Sequence, residues 1–351
     1  MATISLSSLV ITPEMLRLIS EIDVLSEGWK SMHSLSPERL EALRRVATIE
    51  SIGSSTRIEG SKLSDIEVES LFSLIGQQSF ASRDEQEVVE YAEVMETVFQ
   101  SHDDTNISEN YIQQLHGMLL RHSTKDERHR GSYKTLSNNV EAFDSDGGSL
   151  GVIFETATPF DTPRKMSDLV KWTREALDDD AWHPLIVVGV FKVVFLAIHP
   201  FQYKNGRLSR VLATLLLLKA EYRYVPYASL ESVIEKSNDT YYQALRKTQK
   251  TLETDTVDWL PWLSFFLRSL RSQKEYLRIK MDSAQSWGDL PAECAAIMEL
   301  LEKRNRLTIG EAEKQTGAPR ATLKIRLNLL IEKGLIERYG KGRGTWYSLP
   351  F

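Results

Sequence analysis

The sequence predicts a mainly α-helical protein with a small β-hairpin flap and a C-terminal winged helix-turn-helix. Apolar residues recur at spacings of three and four through most of residues 36–280, which is typical of amphipathic helices. Residues 131–162 combine Asn-Asn and Asp-Gly-Gly turns with a short β-branched and aromatic run, which predicts a hairpin. Residues 291–351 predict two helices, a Thr-Gly-Ala-Pro turn, a third helix and two strands, the element order of a winged helix.

Length and charge indicate two or three domains. The 351 residues carry a net charge of −6, but residues 291–351 carry +4, so a basic module follows an acidic body. Cys294 is the single cysteine, which excludes an internal disulfide and a Cys-rich zinc site. The first ten residues lack the basic region of a signal peptide, and the apolar run 185–198 is short and contains Lys192. We therefore expect a cytoplasmic protein without a membrane segment.

Three regions are expected along the chain. Residues 1–104 form an N-terminal helical region, with a helix that starts where Ser36 caps free N–H groups before Pro37. Residues 105–282 form the helical core. The hairpin inside this core is either a solvent-exposed connection or a functional flap, since connections this long are usually functional or disordered. Residues 283–351 form the C-terminal module, with the boundary near residues 283–291.

The stretch HPFQYKNGRLSR, residues 199–210, combines a histidine with an anion-binding pattern. One apolar helix must end before Pro200, and another can start near Asn205 or Gly206. A helix N-terminus offers free N–H groups to a phosphate, and Arg207 and Arg210 could both reach one polyphosphate. His199 could take a proton from an attacking hydroxyl at neutral pH. The alternative is a buried structural histidine beside solvated arginines, but the joint spacing favours a site.

This stretch resembles the signature of the Fic family, whose proteins have an all-helical core and transfer AMP from ATP to a protein hydroxyl. A minority of the family uses other phosphate-containing donors. The resemblance implies that His199 is the general base on the acceptor hydroxyl. It also implies that Asn205 and Gly206 form the anion hole and that Arg207 and Arg210 hold the β- and γ-phosphates.

Other segments resemble the same family. GSYK and NNV, within residues 131–140, resemble the approach to the target-docking flap, with Lys134 where arginine is usual. Residues 225–245 resemble the helix after the signature, where Tyr241 and Tyr242 either line the nucleotide pocket or are core aromatics.

SSTRIEG, residues 54–60, resembles the inhibitory motif of the family. The matching residues are Ser55, Glu59 and Gly60, and the resemblance implies that Glu59 pairs with Arg210 and keeps the γ-phosphate out of a productive pose. A surface loop with a helix-capping serine would show the same short pattern. At this position, N-terminal to the core, the motif is interpreted as a built-in brake.

Two residues of the stretch differ from the family signature. Tyr203 stands where the family has the Asp or Glu that holds Mg²⁺, and a neutral phenol is a poor magnesium ligand. Lys204 replaces a glycine of the turn and adds an ammonium group beside the phosphates. The two changes shift the local charge by two units toward positive, so the site could hold an anion without metal.

Three functions remain as hypotheses. The first is an AMP transferase inhibited by Glu59, with ATP as donor and a protein, including the chain itself, as acceptor. The second is a nucleotide-binding regulator without transfer. The third is a transcriptional regulator that binds DNA through residues 288–351. A homodimer is a further expectation.

The C-terminal module carries the residues that would serve the third hypothesis. Its expected recognition helix, from about Pro319 to Lys333, offers Arg320, Lys324 and Arg326, and Lys341 and Arg343 could contact phosphates from the wing. Glu332 and Glu337 dilute this positive face. Recruitment of a protein is the alternative role.

Overall fold

A computed structural model describes residues 4–30, 37–61, 63–71, 82–123, 126–143, 149–179, 181–285, 291–304, 306–340 and 342–349. In chain order its elements are α1 (Pro13–Lys30), α2 (Pro37–Ile58), α3 (Asp65–Leu71), α4 (Arg83–Ser101), α5 (Glu109–Met118), β1 (Val140–Phe143), β2 (Ser149–Phe154), α6 (Thr162–Asp178), α7 (Pro184–Ile198), α8 (Asn205–Lys219), α9 (Leu230–Lys236), α10 (Asn238–Gln249), α11 (Leu260–Gln285), α12 (Ala292–Arg304), α13 (Ile309–Thr316), α14 (Arg320–Glu332), β3 (Glu337–Tyr339) and β4 (Trp346–Ser348). The prediction of a mainly helical protein is confirmed.

Helix α7 lies at the centre of the main core. Every residue from Leu185 to Ile198 is buried, and α7 packs against α6, α8, α10 and α11. A helix that is apolar on all sides is stable in water only when other elements cover it completely. The indole Nε1 of Trp262 in α11 donates to the carbonyl of Gly189 at 2.7 Å, which fixes this helix pair. Within the described ranges, no helix is long and apolar enough to cross a membrane.

A short connection joins α7 to α8 and determines where the site forms. Pro200 disfavours further helix at His199, which adopts a left-handed conformation with φ 53°. Lys204 is also left-handed, with φ 64°, and α8 starts at the next residue. The two turns bring the end of one buried helix beside the start of another, as the sequence predicts.

Helix α2 ends beside the start of α8. It packs against α4, α8 and α9. Gly60 has φ 95°, which an L side chain rarely adopts, and here it ends the helical turn: Gly60 N–H donates to Arg57 O at 3.0 Å and Ser61 N–H to Thr56 O at 3.1 Å. The predicted helix start at Pro37 is confirmed, whereas the predicted cap Ser36 lies outside the described residues.

The predicted hairpin is present. Strands β1 and β2 pair antiparallel, from Val140 opposite Phe154 to Phe143 opposite Ser149, and the turn residues 144–148 lie outside the described part of the chain. After the hairpin, Ala157 N–H donates to Ala197 O at 3.4 Å. The hairpin therefore leaves the core next to the end of α7.

The C-terminal module has its own apolar core. Helices α12, α13 and α14 surround a cluster that includes Cys294, Leu323 and Leu327, and β3 pairs antiparallel with β4. Thr308 and Glu311 form a capping box at the start of α13, and the module packs on the body where α12 contacts α2. The element order matches the prediction, while assignment to the winged helix class stays a prediction. The expected boundary falls largely on residues 286–290, outside the described ranges.

Candidate active site

His199 has the geometry of a proton acceptor. In the tautomer in which Nδ1–H donates to the Leu196 carbonyl, at 3.3 Å, Nε2 keeps its lone pair. Burial lowers the pKa of His199 to about 4, with Lys134 acting in the same direction and the Leu196 hydrogen bond and Glu59 opposing the shift. The ring is therefore neutral at physiological pH and able to accept a proton.

The start of α8 forms an anion-binding arrangement. The Asn205 side chain donates to Phe201 O at 2.6 Å and accepts from Phe201 N–H at 2.9 Å, so it holds the turn together. This leaves the first backbone N–H groups of α8, with Gly206 among them, free of side-chain caps. We call these groups, together with Lys204, Arg207 and Arg210, the anion site.

Arg210 is held by the end of α2. Its Nε donates to Ser55 Oγ at 2.8 Å, and Nη2 donates to Ser55 O at 3.1 Å and to Glu59 Oε1 at 2.7 Å. Ser55 is fully buried and the Arg210 side chain is 2% exposed, whereas Glu59 is 30% exposed. The predicted pair of Glu59 and Arg210 is thus present in the geometry.

Glu59 also covers Gly206. A Cβ atom on Gly206 would overlap with Glu59 Oε1, so the carboxylate rests directly against the backbone that an anion would approach. Burial raises the pKa of the Glu59 carboxyl, but the charges of Arg210, Arg207 and Lys204 outweigh it and hold the pKa below its usual range. Chemically, this carboxylate is an anion already bound in the anion site.

Glu87 of α4 is a second carboxylate in the site, and sequence reasoning missed it. It pairs with the Lys204 ammonium and accepts from Arg207 Nη2 at 2.6 Å and from Arg83 Nε at 3.0 Å. Burial raises its pKa, but the charges of Arg207 and Lys204 prevail and lower the pKa to about 2. The local sequence does not distinguish Glu87 from the other acids of α4. Only the packing of α4 on α8 places Glu87 in the site.

Two buried side chains support the loop of the site. Lys134 Nζ donates to Ile198 O at 3.0 Å and to Asn138 Oδ1 at 2.8 Å, so the residue that replaces the usual arginine ties the hairpin base to the end of α7. His116 accepts from Gly131 N–H at 3.1 Å, and its other ring nitrogen donates to Tyr203 O at 3.2 Å. These bonds position residues 199–204.

The two tyrosines of α10 differ in environment. Tyr241 is buried and packs edge-on against Trp262 at 5.8 Å, and Tyr242 is partly buried and packs edge-on against Tyr241 at 5.0 Å. Burial raises the pKa of both hydroxyls, and the charges of Glu59 and Arg210 act on both. Tyr241 is a core aromatic that also borders the anion site, so the two interpretations from the sequence are not exclusive at this residue.

The residues present do not fit magnesium. Tyr203 is 42% exposed, and the nearby carboxylates Glu59 and Glu87 both pair with cations. Magnesium prefers carboxylate oxygens, and here those oxygens already accept from arginine and lysine. In the described ranges no group of three or more His, Cys, Asp or Glu side chains is arranged to hold a metal.

Comparison with known proteins shows what part of the chain is similar to a known family and which solved structures share its fold. Residues 106–217 match the model of the Fic/DOC family. The chain has 22% identity to a Fic family protein from Desulfovibrio desulfuricans G20, with 98% of each chain covered and a TM-score of 0.62. It has 22% identity to a Fic domain containing signaling protein from Bacteroides thetaiotaomicron VPI-5482, covering 74% of this chain and 97% of that one, with a TM-score of 0.58. For Fic-1 from C. elegans the identity is 16%, with 77% and 73% covered and a TM-score of 0.58. No curated protein matches this sequence.

Residues 106–217 are thus similar to the Fic/DOC family, and the chain shares its fold with solved Fic proteins. Fic domains commonly transfer nucleoside monophosphates to proteins. The matched range contains His199, Arg207 and Arg210, whereas Ser55 and Glu59 lie before it.

Proposed function

We propose that this protein is an adenylyltransferase that moves AMP from ATP to a Ser, Thr or Tyr hydroxyl of a protein. The observation that carries the proposal is the neutral His199 ring at the end of α7, beside an anion site at the start of α8. A base for a hydroxyl and a cation-rich helix N-terminus for a polyphosphate are the two parts that this transfer needs.

The reaction is an in-line displacement at the α-phosphate. The acceptor oxygen forms a bond to the α-phosphorus while its proton passes to His199 Nε2. The bond between the α-phosphorus and the bridging oxygen to the β-phosphate breaks, and pyrophosphate leaves. Arg207 and Arg210 hold the phosphates through guanidinium bonds, and the Asn205–Gly206 turn offers its N–H groups.

Glu59 keeps the enzyme inactive in this proposal. Its carboxylate accepts a hydrogen bond from Arg210 Nη2 and occupies the space over Gly206. The γ-phosphate end of ATP requires both this donor and this space. Activation therefore requires the end of α2 to move away from α8. Intact mass measured after incubation of Glu59→Gly protein with ATP, with and without His199→Ala, tests the activity on the chain itself and on lysate proteins. An adenylyl group that needs His199 supports the transferase.

A nucleotide-binding regulator without transfer is the second candidate. Two features favour it: Tyr203 stands where the family signature has a metal-binding acid, and the carboxylates of Glu59 and Glu87 pair with the cations of the anion site. It predicts that Glu59→Gly protein binds ATP yet adds no mass to any protein. In that case the nucleotide would act by changing the conformation of α2.

The C-terminal module is a candidate DNA-binding winged helix. On α14, Arg320 lies 3.5 Å from Glu313 and Arg326 lies 3.3 Å from Glu293, whereas Lys324 and Ile325 are exposed. Of the wing residues, Lys341 and the side chain of Arg343 lie outside the described part. A salt-sensitive mobility shift with duplex DNA would support DNA binding, and no shift at low salt would favour a protein partner, including a second copy of this chain.

A further inference from the structure

The anion site has an ammonium group where the family resemblance implies a metal-binding acid nearby. Tyr203 has replaced that acid, and Lys204 follows it directly. Lys204 adopts a positive φ of 64°, a conformation that costs energy for any residue with a Cβ and that glycine would adopt freely. A strained lysine directly before α8 thus places a cation at the N-terminus of this helix.

The Lys204 ammonium is built into the site rather than left in solvent. Its side chain is 8% exposed and pairs with Glu87, and the other oxygen of the same carboxylate holds Arg207. Glu87 lies within α4, which packs on α8, so the carboxylate is fixed to the scaffold. One fixed anion therefore orients two neighbouring cations.

Glu87 and Glu59 differ in exposure and in position, which fits two roles: Glu87 orients the cations, and Glu59 blocks the anion site. Glu87 is 12% exposed and lies inside a helix, whereas Glu59 is 30% exposed and lies just after the last residue of α2. Glu59 rests against Gly206, and a Cβ on Gly206 meets no atom of Glu87 among its nearest neighbours. Arg207 still has a buried Nε without a hydrogen-bond partner in the described structure, so it keeps a donor for a ligand.

The net charge of the anion site becomes more positive when Glu59 moves away. Lys204, Arg207 and Arg210 then outnumber Glu87, and burial raises the pKa of the neighbouring Glu90 carboxyl to about 7, so the helix N-terminus keeps a net positive charge. A polyphosphate needs such charge, and a divalent cation is the usual source of it.

We propose that the Lys204 ammonium, anchored by Glu87, takes the place of the divalent cation, so that this site binds a nucleoside triphosphate without metal. The inference rests on the proposed function for its choice of ligand, and it concerns binding, which is measured apart from transfer.

Calorimetric titration of Glu59→Gly protein with ATP, in EDTA and in excess MgCl₂, is the first test. We expect a Kd in EDTA equal to or below the Kd in magnesium, because free ATP carries more negative charge toward Lys204. Binding about tenfold tighter in magnesium, or no binding under either condition, would overturn the inference.

Replacement of Lys204 in the same background is the second test. Lys204→Met should weaken ATP binding in EDTA by about tenfold or more, and Lys204→Arg, which keeps the charge, should stay within about threefold. Lys171→Met on α6 is the matched control, because Lys171 is 75% exposed and should leave the Kd unchanged. Thermal unfolding checks that each variant is folded. An unchanged Kd for Lys204→Met overturns the inference.

Mass analysis of the same mixtures separates this inference from the proposed function. Metal-free binding without any added adenylyl group would refute the transferase and leave the role of Lys204 standing. Transfer together with ATP binding that itself requires magnesium would do the reverse.

Discussion

Glu59 Oε1 lies where a Cβ on Gly206 would meet it, so an acidic side chain occupies the space over the anion site. Removal of this carboxylate frees both that space and Arg210 Nη2. A charged hydrogen bond is worth about 1.5–3 kcal/mol, so Glu59→Gly should raise transfer by about 10- to 100-fold.

Initial rates of adenylyl incorporation check this prediction. Glu253→Gly is the matched control, since Glu253 is 63% exposed, lies outside the helices and pairs only with Lys165 among the bonds described. Equal rates for Glu59→Gly and the unchanged protein would exclude the brake.

Arg57 fixes the end of α2 and should therefore affect the brake. It donates to Glu235 at 2.6 Å and 3.0 Å and to Asp65 at 2.8 Å. Arg57→Ala should loosen Glu59 and raise transfer by about threefold to tenfold, while lowering stability by about 1–3 kcal/mol. The rate and the urea midpoint are measured together, with Arg17→Ala on α1, 66% exposed, as the control.

The double variant decides whether Arg57 acts through Glu59. In Glu59→Gly protein, Arg57→Ala should give no further increase, because the group it restrains is absent. A further increase of similar size would mean that Arg57 acts by another route.

The pH profile of transfer should report a partly buried histidine with a lowered pKa. Burial lowers the pKa of His199 to about 4, and Glu59 raises it, so the pKa falls further when Glu59 is replaced. A base with a lowered pKa stays neutral, and thus competent, as the pH falls below the usual histidine range. For Glu59→Gly protein, kcat/KM should be level from about pH 6 to about pH 8. A decline centred near about pH 6.5 would contradict the burial of His199 in the active state.

Lys192 is expected to cost stability. It is fully buried in α7, its Nζ has no hydrogen-bond partner in the described structure, and burial and Arg210 lower its pKa to about 7. Its pKa is lower in the folded than in the unfolded protein, so the penalty is complete below about pH 7 and disappears as the pH approaches 10.5. Lys192→Met should stabilise the protein at neutral pH by about 1–4 kcal/mol.

Urea unfolding near pH 7 and near pH 10 checks the sign. The gain from Lys192→Met should be smaller at the higher pH, and Lys171→Met, at an exposed position, should change little at either. Destabilisation at neutral pH would mean that the amine has a partner in the folded protein.

Local sequence determined the elements and the composition of the site. The apolar run before Pro200 predicted α7, the start of α8 followed from the polar turn after it, and the spacing of His199, Arg207 and Arg210 predicted a base beside an anion site. These features depend on residues that are adjacent in the chain, so the sequence alone predicts them. The pair of Glu59 and Arg210 was also expected, but from resemblance to a family rather than from chemistry.

Tertiary packing decided what periodicity and spacing cannot show. Glu87 lies 117 positions from Lys204 and is one acid among several on α4, so only the packing of α4 on α8 made it the anchor of two cations. The neutrality of His199 and the cost of Lys192 likewise depend on how many atoms exclude water from each group. Charge pairing and desolvation act through space between distant segments, and this is why the sequence predicted the residues of the site while the fold determined their electrostatic state.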